Sequence, residues 1–276
     1  MTRFVARHGL VREPVAAKVP EITVLFWVIK VLTTGMGEAA SDFLAKISFV
    51  LAGGIGVVGF AVAMALQFHA RRYLPAVYWF AVAMVAVFGT MAADGLHVAL
   101  GVPYLLSTAF YVVVVAVIFV GWHRSEGTLS IHSITTTRRE LFYWLTVLAT
   151  FALGTAAGDL TAASMHLGYF WSGVLFTAAI TVPAIGWWRF GLNPVLAFWI
   201  AYVITRPIGA SFADWFGKPP SKNHGLGFGD GTVTVIASLV IVVLVTFLAR
   251  SGSDIQDAGD PRSAPTPTPE APAVER

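Results

Sequence analysis

Four aspartates, Asp42, Asp94, Asp159 and Asp214, each follow a tryptophan by 15 residues (Trp27, Trp79, Trp144, Trp199) and a glycine by five (Gly37, Gly89, Gly154, Gly209). Three residue types held at fixed offsets four times over make the chain a tandem repeat, one structural unit written four times and packed against its own copies. The copies read FWVIKVLTTGMGEAASD, YWFAVAMVAVFGTMAAD, YWLTVLATFALGTAAGD and FWIAYVITRPIGASFAD. Each is apolar enough to lie in a bilayer, where a carboxylate is costly and usually functional. The repeat therefore constrains the architecture and marks where to look for chemistry.

A membrane-spanning helix needs about 20 predominantly apolar residues. Eight such runs are present, at roughly 21–44, 47–69, 76–98, 103–123, 141–163, 167–188, 195–216 and 230–249. With 57% of residues hydrophobic and 12% charged, too few polar groups remain to coat a soluble domain. The expected fold is all-α: eight transmembrane helices forming four parallel two-helix repeats. A membrane domain over 21–250 holds the repeats, at about 21–72, 73–124, 138–190 and 194–250. Residues 1–20 read as a cytoplasmic segment without a cleavable leader. Residues 251–276, rich in Pro, Ser, Thr and Asp, read as a disordered tail. The absence of cysteine excludes disulfides, thiolate metal sites and cysteine nucleophiles.

Lysine and arginine counts set the expected orientation. One set of loops and ends carries Arg3, Arg7, Arg12, Lys18, Arg71, Arg72, Arg124, Arg138, Arg139, Arg189 and Arg250, and the other only Lys46, Lys218 and Lys222. Both termini are thus expected in the cytoplasm. The net charge of +3 follows from this topology and argues for no nucleic-acid partner. The bilayer itself is the expected partner, and oligomerisation is left open.

Each repeat has two spans, so all four motif-bearing odd helices run in the same direction. Parallel repeats suggest a pseudo-fourfold ring or two pseudo-twofold pairs, unlike the inverted repeats of many transporters. Tryptophan to aspartate covers about 22 Å at 1.5 Å per residue. A tryptophan at the cytoplasmic interface would put its aspartate near the outer edge of the hydrocarbon. Apart from interface residues, the even spans carry no charge, whereas the odd spans carry the four aspartates with Lys30, Glu38 and Arg206. Odd helices should line the interior and even helices face lipid. Alanines and glycines beside each aspartate would let the inner helices approach closely.

The segment KVPEITVLFWVIKVLTTGMGEAASDFL, with the later Trp-to-Gly-to-Asp segments, resembles a family of bacterial membrane-anchored proteins built from tandem copies of a repeat of unknown function. The resemblance runs from residue 18 to about 250. It implies a multi-pass protein of the bacterial inner membrane and supplies no reaction to carry over.

The acids then pose the functional question. Asp42, Asp94, Asp159 and Asp214 could form a carboxylate ring that binds a cation or takes up protons, or each could simply terminate its helix. Oxygen ligands suit Mg, Ca and Mn, so a bound divalent cation is the cofactor to consider. Glu38 and Asp42 are four apart and share a helix face, which Lys30 and Thr34 extend. Lys30 could join a relay, neutralise an acid or snorkel to the interface. Arg206, followed by the helix-kinking Pro207, could pair with an acid or contact an anionic group. Five acids against two bases favour cationic cargo. His97, three residues after Asp94, is a candidate metal ligand, and His166 a lesser one. The loop GKPPSKNHGLGFGDG reads as a mobile gate or a flexible connection, and its GFGDG as a phosphate cradle in composition only. Tryptophans and phenylalanines read mostly as belt and packing residues.

Three functions fit these features. The first is gradient-driven transport of a small cation, as a divalent metal or coupled to protons, and it is non-enzymatic. The second is an enzyme acting on a lipid or quinone, with Glu38 and Asp42 as acid and base and Arg206 holding a headgroup. The third is a structural or sensory membrane protein.

Overall fold

The computed structural model describes residues 17–256; Arg3, Arg7, Arg12 and the tail beyond residue 256 lie outside the described residues. All eight apolar runs are helical. In chain order the helices are α1 (Val24–Ile47), α2 (Phe49–His69), α3 (Pro75–Asp94), α4 (Tyr104–Glu126), α5 (Thr137–Asp159), α6 (Gly168–Ala179), α7 (Thr181–Phe190), α8 (Pro194–Gly217) and α9 (Asp230–Ser251). Helices α6 and α7 together make the sixth span, Gly168–Phe190. Pro183 accounts for their break, because it has no N–H to offer the carbonyl four residues back. The chain is a membrane-spanning, all-helical protein, with no strand among the described residues.

Short polar residues and prolines start the inner helices. The side chains of Thr23, Thr136 and Asn193 accept from first-turn N–H groups of α1, α5 and α8, and Pro75 and Pro194 occupy first-turn positions where no N–H partner is needed. Helices α3 and α5 continue past Asp94 and Asp159 into single wider π turns, Gly95–Ala99 and Leu160–Ser164. Such turns often mark functional positions. Helix α8 runs through Pro207 without a break.

The motif helices α1, α3, α5 and α8 close a ring in which each packs against the next and α8 returns to α1. The outer helices are offset by one unit: α2 packs chiefly on α3, α4 on α5, α6 on α8, and α9 on α1. The result is a pseudo-fourfold pinwheel rather than two stacked pairs, closed by the last helix on the first. Across their membrane-spanning windows 56–72% of inner-helix residues are buried, against 11–22% for the outer helices. Odd spans are inside and even spans face lipid.

The repeated glycine is what permits the ring. A Cβ on Gly37 would fall within 3.0 Å of Ala86, one on Gly89 within 2.7 Å of Phe151, one on Gly154 within 3.0 Å of Arg206, and one on Gly209 within 2.6 Å of Thr34. Each glycine thus meets the residue seven past the tryptophan of the next repeat, in cyclic order. Missing side chains allow neighbouring backbones to close up, and dispersion between small residues then holds the ring in a medium that offers no hydrophobic drive.

Residues four apart on each inner helix face the axis and stack in layers. Phe26, Tyr78, Tyr143 and Phe198 form one, and Lys30, Val82, Val147 and Tyr202 the next; Thr34, Ala86, Phe151 and Arg206 follow, then Glu38, Thr90, Thr155 and Ala210. Every residue in these layers is buried. Trp79, Trp144 and Trp199 are buried as well, in contact with the aromatic layer, so they pack the core rather than anchor an interface.

At this aromatic end, a strap from Ala17 to Glu21 crosses the bundle. Lys18 donates to Glu140 at 2.6 Å, Gln67 donates to the other Glu140 oxygen at 2.9 Å, and the Glu21 N–H donates to the Asp254 carbonyl. Lys18 and Glu140 are both buried, so each charge depends on the other.

Candidate functional site

The axial stripe of α1 carries Glu38 and Asp42 to the end of the ring opposite the strap, and α8 carries Asp214 there. Carboxylate oxygens of these three residues all lie within 4.8 Å of one another. Asp94 and Asp159 end α3 and α5 at the corresponding positions. Convergence of carboxylates is shown for α1 and α8, which supply Glu38, Asp42 and Asp214.

The sequence reading missed two further members. Lys218, one residue beyond α8, places its ammonium on Asp42, 3.6 Å from Asp214 and 3.7 Å from Asp230. Burial by itself would lower its pKa, but the Asp214, Asp42 and Asp230 carboxylates outweigh burial and hold it above the ordinary lysine value. Asp230, at the first turn of α9, also accepts from Lys46. One signal was available: Asp230 is an acid at the start of a span otherwise free of charge. Lys218 had been counted only as a loop charge.

The glycine-rich loop explains how Lys218 is held. The N–H groups of Leu226, Gly227, Phe228 and Gly229 donate to the carbonyls of Trp215, Lys218, Phe216 and Gly217 in turn. The loop folds back to satisfy carbonyls that the end of α8 would otherwise leave free. Gly227 and Gly229 have φ of 79° and 87°, a region open to glycine at little cost. The loop is thus a hydrogen-bonded cap, and GFGDG supplies the cap and Asp230 rather than a phosphate cradle.

Below the acids lies a second polar layer. Glu38 Oε2 accepts from Thr90 at 3.1 Å and Thr155 at 3.0 Å, the residues that replace it in repeats two and three. Arg206 donates to Thr90 Oγ1 at 3.0 Å, to the Thr34 carbonyl at 3.1 Å and to the Phe151 carbonyl at 3.3 Å. Its link to Glu38 runs through Thr90, so the expected ion pair is an indirect one. Lys30 neither neutralises an acid nor snorkels. Its Nζ lies 4.2 Å from the ring centroids of both Phe151 and Tyr202, has no hydrogen-bond acceptor, and is fully buried.

His97 Nδ1 lies 2.6 Å from the Val102 carbonyl and its ring stacks on Tyr104, in the turn after α3. His166 is exposed. Ser41, Ser211 and Asp214 each leave a buried oxygen without a hydrogen-bond partner at the acidic end. Buried polar atoms of this kind call for a partner.

A family profile described as a repeat of unknown function, DUF347, matches four tandem segments, 25–73, 77–128, 142–192 and 197–254. The chain belongs to the DUF347 repeat family. Each matched segment begins within two residues of a motif tryptophan and takes in one inner and one outer span, so the family's unit is the blade of the pinwheel. No curated protein and no solved structure matches the chain.

Proposed function

We propose that this protein moves a small cation across the bacterial inner membrane, driven by a gradient, with the acid cluster as the site where the cation is taken up. One observation carries the reading: three carboxylates from two helices converge within 4.8 Å, and a lysine ammonium held by a loop lies against two of them, Asp42 and Asp214. Lys218 acts as a tethered stand-in for the cargo, and an arriving cation displaces it. Hard, oxygen-seeking cations and protons suit such a donor set. The charge balance agrees. Glu38, Asp42, Asp94, Asp159, Asp214 and Asp230 outnumber Lys30, Arg206, Lys46 and Lys218. The excess of basic residues on the loops at the other end supports an outward-facing acid cluster, to which Asp94 and Asp159 add further acids in this reading.

The lipid-enzyme reading lacks this support. A groove of about 530 Å³ opens between α1, α8 and α9, but its walls, among them Val31, Met36, Phe212, Phe228, Ile236 and Val240, include none of the acids. The test is flux in proteoliposomes with Mn²⁺, Na⁺ and protons as probes. Wild-type protein should pass at least one, and Glu38→Gln and Asp94→Asn should depress that flux while leaving the folded protein intact. If both variants fold normally and every flux equals wild type, the proposal fails.

A further inference from the structure

The lysine beside the acids has more than one acceptor within reach. Lys218 touches Asp42, and its Nζ stands 3.6 Å from Asp214 Oδ1 and 3.7 Å from Asp230 Oδ2. The last two separations are too long for hydrogen bonds, so the ammonium is seated on Asp42 with two further carboxylates close by. Two buried oxygens here have no hydrogen-bond partner: Asp214 Oδ1, which belongs to the converging set, and Asp230 Oδ1, which lies outside it. The first calls for a cation within the set. The second calls for a donor of its own.

A cation that displaces Lys218 leaves the lysine with a problem. Its ammonium is buried, and a buried charge stripped of its partner is strongly destabilised. The residue itself is pinned, since its N–H donates to the Asp214 carbonyl and its own carbonyl accepts from Gly227. The ammonium must therefore find another carboxylate nearby. Asp230 fits that need: its Oδ2 accepts from Lys46, whose side chain is largely in solvent, and its Oδ1 is left over. Gly217, the residue before Lys218, gives that oxygen its place. A Cβ at Gly217 would fall under 3.0 Å from Asp230 Oδ1.

Charge then selects the class of ion. With their carboxylates ionised, Glu38, Asp42, Asp214 and Asp230 face two ammonium groups, Lys218 and Lys46, and the cluster keeps an excess of two negative charges. A divalent cation cancels that excess, whereas a monovalent one leaves a buried cluster charged. Three carboxylates also supply the hard oxygen ligands that Mg, Ca and Mn take.

Resting on the cation-uptake reading, we propose that the site takes a divalent metal cation and that Asp230 is the second seat of Lys218. The ion enters among Glu38, Asp42 and Asp214, and the Lys218 ammonium passes from Asp42 to the free oxygen of Asp230. Lys46 keeps the other oxygen. No charge is stranded at either stage. Asp230 is thus a positioning residue, which acts on the ion by receiving the lysine.

The test uses full-length protein in detergent with Mn²⁺ as the probe, free Mn²⁺ being read from its paramagnetic resonance and folding from thermal melts. Wild type should bind Mn²⁺, release it to Ca²⁺ and hold it against a large excess of Na⁺. Asp230→Asn should weaken Mn²⁺ binding by about tenfold, the scale of coupling within one ion network. Gly217→Ala changes no charge and should weaken it likewise by pushing the Asp230 carboxylate aside. Lys218→Met should bind more tightly than wild type, and in that background Asp230→Asn should have a much smaller effect, because no ammonium remains to be seated. An equal loss from Asp230→Asn in both backgrounds would mean that Asp230 acts by its charge alone, and this or an unchanged affinity in Asp230→Asn and Gly217→Ala overturns the second seat. Na⁺ competing on equal terms with Ca²⁺ overturns the divalent class. Protein that binds no metal yet passes protons in vesicles refutes this inference and spares the transport reading; protein that passes no cation at all sinks the transport reading itself.

Discussion

Gly154→Ala puts the pinwheel to its most direct test. The added methyl would sit within 3.0 Å of Arg206 Cβ and Cγ and 3.2 Å from Pro207 Cδ. These are atoms at the root of a side chain and in a ring, with little freedom to move aside. Overpacking costs about 1–3 kcal/mol, and this site belongs at the upper end. Replacing glycine by alanine within a helix returns ~1 kcal/mol of propensity. The net loss is about 2 kcal/mol, which for a chain of this size lowers the melting temperature by about 4–8 °C. Gly53→Ala is the matched control: its Cβ would meet nothing within 4 Å on the exposed face of α2, so only the propensity gain remains. Thermal melting in detergent, followed by tryptophan fluorescence, compares the two. Gly37→Ala, Gly89→Ala and Gly209→Ala should also fall below wild type. A Gly154→Ala protein that melts at or above wild type, or four motif variants indistinguishable from Gly53→Ala, would refute the cyclic close-approach argument.

Glu140→Gln strands the buried Lys18 ammonium and should cost about 3–5 kcal/mol in a denaturant titration, while the double variant Lys18→Met with Glu140→Gln recovers most of it. Lys218→Met removes the tethered ammonium, so melting of this variant should rise steeply with added Mn²⁺ or Ca²⁺ where wild type responds weakly; equal responses would exclude Lys218 as a stand-in for the cargo. Lys218 has a raised pKa in the folded protein. Its contribution is therefore complete below the unfolded lysine value of about 10.4 and is lost only as pH rises toward the folded value. The melting difference between wild type and Lys218→Met should accordingly stay flat from pH 7 to about 10. A difference that shrinks over that range would mean that the aspartates do not hold the ammonium.

Much of the site could be read from the repeat, and the unread part has a common physical origin. Glu38 stood out because threonine or alanine takes its place in the other copies, and the ring turns that comparison into a contact, with Thr90 and Thr155 as its donors. Arg206 stood out in the same way and indeed reaches carbonyls of the two neighbouring repeats. Lys218 and Asp230 could not be found so, because they lie beyond the Trp-to-Asp motif that the copies share and reach the acids through loop geometry that no periodicity encodes. His97 stood out by its spacing to Asp94, whereas the contact of its Nδ1 with the Val102 carbonyl in the turn after α3 is a matter of tertiary geometry.

By itself the sequence determined the eight spans, the four tandem units and which helices are inner, because hydrophobic length and repeat spacing are properties of the chain alone. Tertiary structure decided the rest. That each outer helix packs on the next repeat, that three of the four motif tryptophans are core, that Lys30 rests unpaired between two rings and that Lys218 sits among the aspartates all depend on how far apart the helix axes lie. That distance is set where one repeat's glycine meets another repeat's side chain, a contact between positions that no single copy contains.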